Sequence, residues 1–121
     1  MRVVIASGMR KTDKKLDNQI RLALTDVCEI ALKEIEGFEW LTHTVNYDNF
    51  PKSLKVTCVF DTKDSLSSFT QSSKNQELST LVQSKLQALN IKFKDINKHI
   101  KYDTEEACDE DHGGNWSIRI S

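Results

Sequence analysis

The chain contains little proline and little glycine. Pro51 is the only proline, and the four glycines stand at positions 8, 37, 113 and 114. The long stretch from Phe38 to His112 therefore lacks glycine, and it requires regular elements joined by short polar turns. No internal repeat or low-complexity tract interrupts it, which excludes a repeat array or a flexible linker for this stretch.

The chain also lacks an excess of one charge, a close-spaced pair of cysteines and a long apolar run. Seventeen basic and eighteen acidic residues leave a net charge of −1, so no global field favours nucleic acid or anionic lipid. Cys28, Cys58 and Cys108 are odd in number and far apart, which excludes a disulfide framework and predicts a reducing compartment. The apolar run after Met1 is too short for a signal peptide, and no window approaches a membrane span. We therefore expect a cytoplasmic protein without membrane contact.

A length of 121 residues predicts one domain. Such a chain buries roughly 60–70% of its unfolded surface, which is enough for one core. The basic run from Met9 to Lys15 resembles a second chain start. We therefore predict an N-terminal tail or edge strand over residues 1–8 and a single α+β domain over residues 9–121.

The segment between Thr12 and Gly37 predicts a long amphipathic helix. Thr12 or Asp13 caps its start, and Gly37 ends it, because glycine readily adopts the left-handed conformation that often follows a helix. Apolar residues recur at a spacing of three to four, at Leu16, Ile20, Ala23, Leu24, Val27, Ala31 and Ile35. With their neighbours they cover roughly half of the helix circumference, which suits packing on a sheet. Contact of this face with a second subunit, in a homo-oligomer, stays open as the alternative.

The rest of the chain predicts an α+β domain with the order α-β-β-α-α-β-α. Residues 38–47 and 54–60 alternate as an antiparallel hairpin, with Pro51 in its turn. A short helix near residues 64–70 precedes a helix that begins with a capping box at Ser73. The third strand has its firm part at residues 98–102, the acidic segment forms a further helix, and residues 116–120 form a last short strand. We expect the helices to pack on one small mixed sheet.

The acidic segment contains six carboxylates between Asp103 and His112. Thr104 is a good N-cap and Gly113 a natural C′ residue, so the main prediction is a solvated, well-capped helix. The alternative is a metal site, because a Cys and a His four residues apart can share one zinc ion. Its ligands would lie within about 100° of one another around the helix axis, at Glu105, Cys108, Asp109 and His112.

Asp48, Asp61 and Lys63 form a second constellation. Restriction-endonuclease-like nucleases place one acidic residue at a strand and an acidic-x-Lys motif on the adjacent strand. The carboxylates hold a divalent cation, and the lysine orients or activates the attacking water. This hypothesis requires the carboxylates of Asp48 and Asp61 to converge. The other interpretation is that the three residues serve a turn and a helix start.

Clusters of basic residues predict a third possibility, contact with nucleic acid. The α-β-β-α-α-β order is that of type II KH modules, which clamp a phosphate backbone with a loop between two helices. The equivalent loop, residues 71–76, lacks glycine, although Lys74 could meet a phosphate there. The residues that would contact phosphates are Arg10, Lys11, Lys14, Lys15, Lys74, Lys92, Lys94, Lys98 and Lys101.

Five short segments carry a resemblance to a known family. They are Met9-Arg-Lys-Thr-Asp-Lys-Lys, Leu24-Thr-Asp-Val-Cys-Glu, Phe38-Glu-Trp-Leu-Thr-His, Cys58-Val-Phe-Asp and Asp103-Thr-Glu-Glu-Ala-Cys. Together they resemble a family of small uncharacterised gammaproteobacterial proteins that often carry an automatic label as Fis-family transcriptional regulators. The resemblance runs from Met9 to Trp116 and implies no catalytic residues.

The sequence thus predicts a cytoplasmic binding domain without a catalytic site or a cofactor. We expect it to act in regulation, with nucleic acid as the leading partner class and another protein as the second. The alternative is a divalent-metal-dependent nuclease that uses Asp48, Asp61 and Lys63.

Overall fold

The computed structural model describes residues 10–120, and the prediction for residues 1–8 lies outside that range. The helices and strands follow in the order α1 (Lys11–Glu34), β1 (Phe38–Thr44), β2 (Lys55–Phe60), α2 (Lys63–Thr70), α3 (Lys74–Gln87), β3 (Ile100–Thr104), α4 (Glu105–His112) and α5 (Trp116–Ile120). Short 3-10 turns at Tyr47–Asn49 and Ile96–His99 precede β2 and β3. The predicted α+β class and its order from α1 to α4 are confirmed.

One mixed sheet has the strand order β1-β2-β3. β1 and β2 are antiparallel, and Thr44 faces Lys55 at one end of the hairpin while Phe38 faces Phe60 at the other. β2 and β3 are parallel, with Val56 beside Ile100. Because they are parallel, β2 and β3 begin at the same end of the sheet, and the segments that lead into them are brought together there.

The main core lies between the helices and one face of the sheet. α1 and α3 pack against each other, and their buried side chains join those of all three strands in one cluster. The predicted stripe of α1 is confirmed at Ile20, Leu24, Val27 and Ala31, which are buried. Helix packing, rather than intrinsic propensity, therefore stabilises the 24-residue α1.

Gly37 meets two separate requirements between α1 and β1. Its φ of +85° is in the left-handed region, as the sequence predicts for a helix stop. A Cβ atom at this position would also stand 2.5 Å from the Cβ of Ser65 in α2. Any larger residue would therefore suffer both backbone strain and a collision.

The boundaries of several elements differ from the prediction. α1 begins two or three residues earlier than expected, with Arg10 as its N-cap residue, because Asp13 accepts a hydrogen bond from the Arg10 backbone. Ser73 precedes α3, but its side chain makes no capping hydrogen bond. β3 starts at Ile100 rather than at Lys98, since residues 96–99 form the 3-10 turn.

The predicted last strand over residues 116–120 is wrong, because this segment is helix α5. Gly113 and Gly114 both have positive φ and reverse the chain after α4. Trp116 and Ile120, four residues apart, then share one side of α5 and pack with Val59 and Cys108. This second, smaller cluster lies on the face of the sheet opposite the main core. Spacing by four and spacing by two are hard to distinguish over five residues.

Among residues 10–120, no helix has both the length and the apolar character needed to cross a membrane. The longest, α1, carries charged residues along its exposed side.

The three cysteine thiols are free, as their spacing in the sequence predicts, and they are buried. Burial raises the pKa of the Cys58 thiol to about 12, and burial followed by the nearby Cys58 raises the pKa of Tyr102 to about 12. In an unfolded chain these groups ionise near pH 8.5 and 10, respectively. The unfolded chain therefore loses its protons first as the pH rises.

We expect the protein to lose stability in alkali, and the sign follows from these raised pKa values. The contribution is fully present below about pH 8.5 and is lost as the pH rises toward 12. For Cys58 alone, the loss in the free energy of unfolding at pH 10.5 is about 3 kcal/mol. Urea denaturation at pH 7, 9.5 and 10.5 measures the loss. Cys58→Val should make the free energy of unfolding less dependent on pH; an unchanged dependence would contradict the assignment.

Candidate nucleic-acid interface

A groove of about 560 Å³ opens at the end of the sheet where β2 and β3 begin. It has the size of pockets that hold small ligands, roughly 300–1,000 Å³. Two stretches of chain line it, and their residues are Pro51, Lys52 and Lys55 from the β1–β2 connection and Lys92, Phe93, Lys94, Asp95, Lys98 and His99 from the α3–β3 connection. We call it the basic groove.

Local structure explains how the α3–β3 connection reaches this place. Asn90 has a φ of +64°, a left-handed conformation that ends the turn after α3. Ile91 and Ile96 are buried and attach the connection to the core at two points. The residues between them are thereby held at the surface, with Lys92 and Lys94 exposed.

Two hydrogen bonds made by Asn97 stabilise the start of the 3-10 turn before β3. The side chain of Asp95 accepts a hydrogen bond from the backbone N–H of Asn97 at 3.1 Å. Ser79 of α3 donates a hydrogen bond to the side chain of Asn97 at 3.1 Å. Lys98 and His99 therefore project from a fixed turn rather than from a free loop.

The electrostatics of the basic groove are one-sided. Its lining contains five lysines and one carboxylate, that of Asp95. Within the described range, none of the five ammonium groups takes part in a salt bridge. Lys55 donates a hydrogen bond to the backbone carbonyl of Lys98 at 3.1 Å, which joins the two stretches of lining. Such a concentration of positive charge in a concavity attracts anions.

An aromatic side chain lies among these lysines. The half-buried ring of Phe93 lines the groove and packs against the main core. Its centroid lies 4.3 Å from that of the His99 ring, at an interplanar angle of 45°. His99 is fixed in turn, because its Nδ1–H donates to the carbonyl of Leu54 at 2.7 Å. The groove thus combines positive charge with a held apolar ring.

The structure brings together only part of the predicted basic set. Lys92, Lys94 and Lys98 line the groove, and Lys101 follows on the exposed side of β3, opposite Thr57 of β2. The sequence prediction missed Lys52, Lys55 and Phe93. Two features of the sequence could have indicated them. Lys52 directly follows the proline of the turn, and Phe93 stands between two lysines of the predicted set.

The other predicted basic residues lie elsewhere. Arg10 forms salt bridges with Asp13 at 3.6 Å and Asp48 at 3.2 Å, which places the start of α1 beside the turn before β2. Lys11, Lys14 and Lys15 are exposed on the first turns of α1. Lys74 is separate from the groove: it pairs with Glu77 at 3.8 Å and lines a different, acidic cavity with Glu34 and Asp64.

The carboxylates that the nuclease hypothesis needs do not converge. Asp48 lies beyond the end of β1, near Lys55, whereas Asp61 follows β2 at the opposite end of the hairpin. The length of β2 alone separates them by on the order of 15–20 Å. Asp61 accepts a hydrogen bond from the backbone of Thr62, and Lys63 pairs with Glu110 at 2.6 Å. A turn, a helix start and a surface ion pair account for these residues.

The acidic helix is well capped, as predicted. Thr104 accepts a hydrogen bond from the backbone N–H of Ala107, and Gly113 has a left-handed φ of +58°. Four of its carboxylates, and that of the preceding Asp103, form hydrogen bonds with residues of other elements. Glu105 accepts hydrogen bonds from the indoles of Trp40 and Trp116. Glu106 and Glu110 bind the start of α2 through the Lys63 backbone and side chain.

Arg119 of α5 binds two further acidic residues of this segment, Asp103 and Asp111. It forms two hydrogen bonds with Asp103, at 2.6 and 3.0 Å, and one with Asp111 at 3.0 Å. Hydrogen bonding to Arg119 holds the pKa of Asp111 below its usual range. The concentration of charge in this segment therefore attaches α4 to α2 and α5.

The alternative metal site over this helix is not assembled. Cys108 is fully buried beneath α5, and Glu105 is occupied by two indoles. His112 faces Arg119, with Nδ1 at 3.2 Å from a guanidinium nitrogen. Between Arg10 and Ile120, no group of three or more His, Cys, Asp or Glu side chains is arranged to hold a metal ion. The four residues share a range of helical positions, but helical position alone does not tell which side of the helix is buried.

A polar cluster inside the core was not expected from the sequence. Asp17 of α1 is almost fully buried, and one of its oxygens accepts from His43 Nε2 at 2.8 Å and from the Tyr47 hydroxyl at 2.6 Å. His43 is completely buried, and its Nδ1 has no hydrogen-bond partner in the described chain. The cluster joins α1, β1 and the turn before β2. It opens into none of the grooves described above, so we assign it to folding.

Comparison of the chain with models of protein families, with curated proteins and with solved structures finds no match.

Proposed function

We propose that this protein binds nucleic acid through the basic groove. The observation that carries the proposal is the convergence of five lysines, from two separate stretches of chain, on one concave surface with a single carboxylate. The lysines approach one another although the chain as a whole has a net charge of −1. Bringing like charges together costs electrostatic free energy, and a bound polyanion would offset that cost.

The chemistry of the groove favours a polymer of phosphates over a single anion. The lysines that line the groove come from two separate stretches of chain, Lys52 and Lys55 from one and Lys92, Lys94 and Lys98 from the other. Lysine side chains contact phosphates as flexible point charges and carry no sequence information by themselves. We therefore propose binding with low sequence specificity. A cytoplasmic location and a regulatory role are consistent proposals from the sequence.

The salt dependence of affinity tests this proposal directly. If all five lysines contact phosphates of a single strand, the logarithm of the association constant should fall against the logarithm of salt concentration with a slope of about −3.5. Fluorescence anisotropy with a labelled 12-nucleotide oligouridine, between 50 and 300 mM KCl, measures this slope. A flat response, or no binding at 50 mM KCl, would overturn the proposal.

Neutralising two lysines identifies the surface. Lys92→Gln together with Lys94→Gln should weaken binding roughly 20-fold at 0.1 M salt and make the slope shallower by about 1.4, because two counterion-releasing contacts are lost. Both side chains are exposed, so the fold should be unaffected.

The matched control removes the same charge from the other end of the sheet. Lys33→Gln together with Lys74→Gln gives the same net charge, and both positions lie outside the groove. This control should bind within about twofold of the unaltered protein. Equal losses in both double variants would indicate non-specific attraction and would contradict a site in the groove. Preferential binding of an acidic protein over the oligonucleotide would favour a protein partner instead.

A further inference from the structure

We infer that the basic groove takes single-stranded nucleic acid in particular, and that an unpaired base stacks against Phe93. This inference rests on the proposed function and specifies the ligand of the same site. It depends on one feature that a phosphate-binding surface does not require, namely an aromatic ring held among the lysines.

Phe93 occupies an unusual position for an apolar residue. It lies between Lys92 and Lys94 in a connection rather than in a helix or strand, and it is only partly buried. The neighbouring Ile91 and Ile96 already attach this connection to the core. Complete burial of Phe93 is therefore not needed to hold the segment, and part of its ring remains available to the groove.

The ring is also held in a defined orientation. His99 contacts it at 4.3 Å between centroids, and the hydrogen bond from His99 to Leu54 fixes the histidine. A ring that is already ordered loses little conformational freedom when a ligand binds. A base has an apolar face that stacks on such a ring without regard to its sequence, while the surrounding ammonium groups contact the phosphates on either side.

The shape of the site excludes a duplex from the same contact. In a duplex the bases are stacked on one another inside the helix, and proteins read them from a groove with a protruding element. Here the aromatic ring lines a concavity. An unpaired base can enter that concavity, whereas a paired base would first have to leave its stack, which costs a few kcal/mol.

The test uses three labelled probes with equal numbers of phosphates and three forms of the protein. The probes are a 12-nucleotide single strand, the same strand with abasic sites throughout, and a duplex of matched phosphate count. The unaltered protein should bind the base-bearing strand about tenfold more tightly than either of the others, which is a typical effect of one stacked base. Phe93→Leu should lose this tenfold preference and bind the abasic strand as before.

Phe93→Tyr separates stacking from packing, because it keeps the aromatic ring with nearly the same size. It should retain the preference for the base-bearing strand. Thermal unfolding of both variants shows whether the fold is intact. If Phe93→Leu binds the base-bearing strand as tightly as the unaltered protein does, or if the duplex binds as well as the single strand, the inference is overturned.

The outcomes also separate this inference from the proposed function. If the Lys92 and Lys94 variant weakens binding of every probe while Phe93→Leu changes none, the groove binds phosphates but does not stack a base. If none of the probes binds in a salt-dependent way, the proposed function itself has failed.

Discussion

Asp17→Ala should destabilise the protein by about 3 kcal/mol. The substitution removes a buried carboxylate that accepts hydrogen bonds from His43 and Tyr47. It leaves both ring nitrogens of a fully buried histidine without a partner, since Nδ1 already lacks one among the described residues. Removing one member of a buried polar network costs more than the hydrogen bond itself, because the desolvated partner remains. Urea denaturation at pH 7 measures the change in the free energy of unfolding.

Two further variants show whether the network is the cause. Asp17→Asn keeps an acceptor oxygen in place and should cost distinctly less than the alanine substitution. Asp26→Ala lies on the exposed side of the same helix, where Asp26 makes only a distant surface ion pair with Lys85 at 3.8 Å, and should change stability by less than about 0.5 kcal/mol. A loss below about 1 kcal/mol for Asp17→Ala would contradict the burial of this network.

Trp116→Ala should cost about 3 kcal/mol as well, although the residue lies near the end of the chain. Its indole packs edge to face on Trp40, with centroids 4.9 Å apart, and donates a hydrogen bond to Glu105 at 3.2 Å. It covers Val59 and Cys108 on the second face of the sheet. Truncating a buried tryptophan removes a large apolar surface and leaves a cavity. Urea denaturation measures the loss in the free energy of unfolding.

The control for this prediction lies two residues further along the same helix. Ile118 is 59% exposed, and Ile118→Ala should change stability by less than about 0.5 kcal/mol. Comparable losses in the two variants would mean that α5 contributes through its helical structure and not through the burial of Trp116. A negligible loss for Trp116→Ala would mean that α5 does not cover the sheet in solution.

The sequence predicts best where the signal is local. The apolar spacing of α1, the Thr104 cap and the Gly113 stop each depend on residues within a few positions of one another, and all three are confirmed. Asp17 shows the limit of this approach. It lies between Leu16 and Ile20 on an amphipathic helix, whose sequence predicts apolar residues on the buried face and polar residues on the exposed face. Its burial depends on His43 and Tyr47, which are distant in sequence.

The candidate site was only partly predictable for the same reason. Lys92, Lys94 and Lys98 form a visible local cluster, whereas Lys52 and Lys55 join it only because β2 and β3 begin at the same end of the sheet. The argument against the nuclease hypothesis could have been made from the predicted hairpin alone. In an antiparallel hairpin, a residue in the turn and a residue after the second strand lie a strand length apart.

The parallel pairing of β2 and β3 has a consequence for how the protein meets a partner. The segments before both strands carry lysines, and the segments after both carry carboxylates, such as Asp61 after β2 and Glu106 after β3. The molecule is therefore a dipole along the sheet, although it is almost neutral overall. At distances well beyond the Debye length, about 8 Å in physiological salt, a polyanion exerts little pull on it. At closer range the field exerts a torque that turns the lysine end forward, so charge governs the orientation of an encounter rather than its frequency.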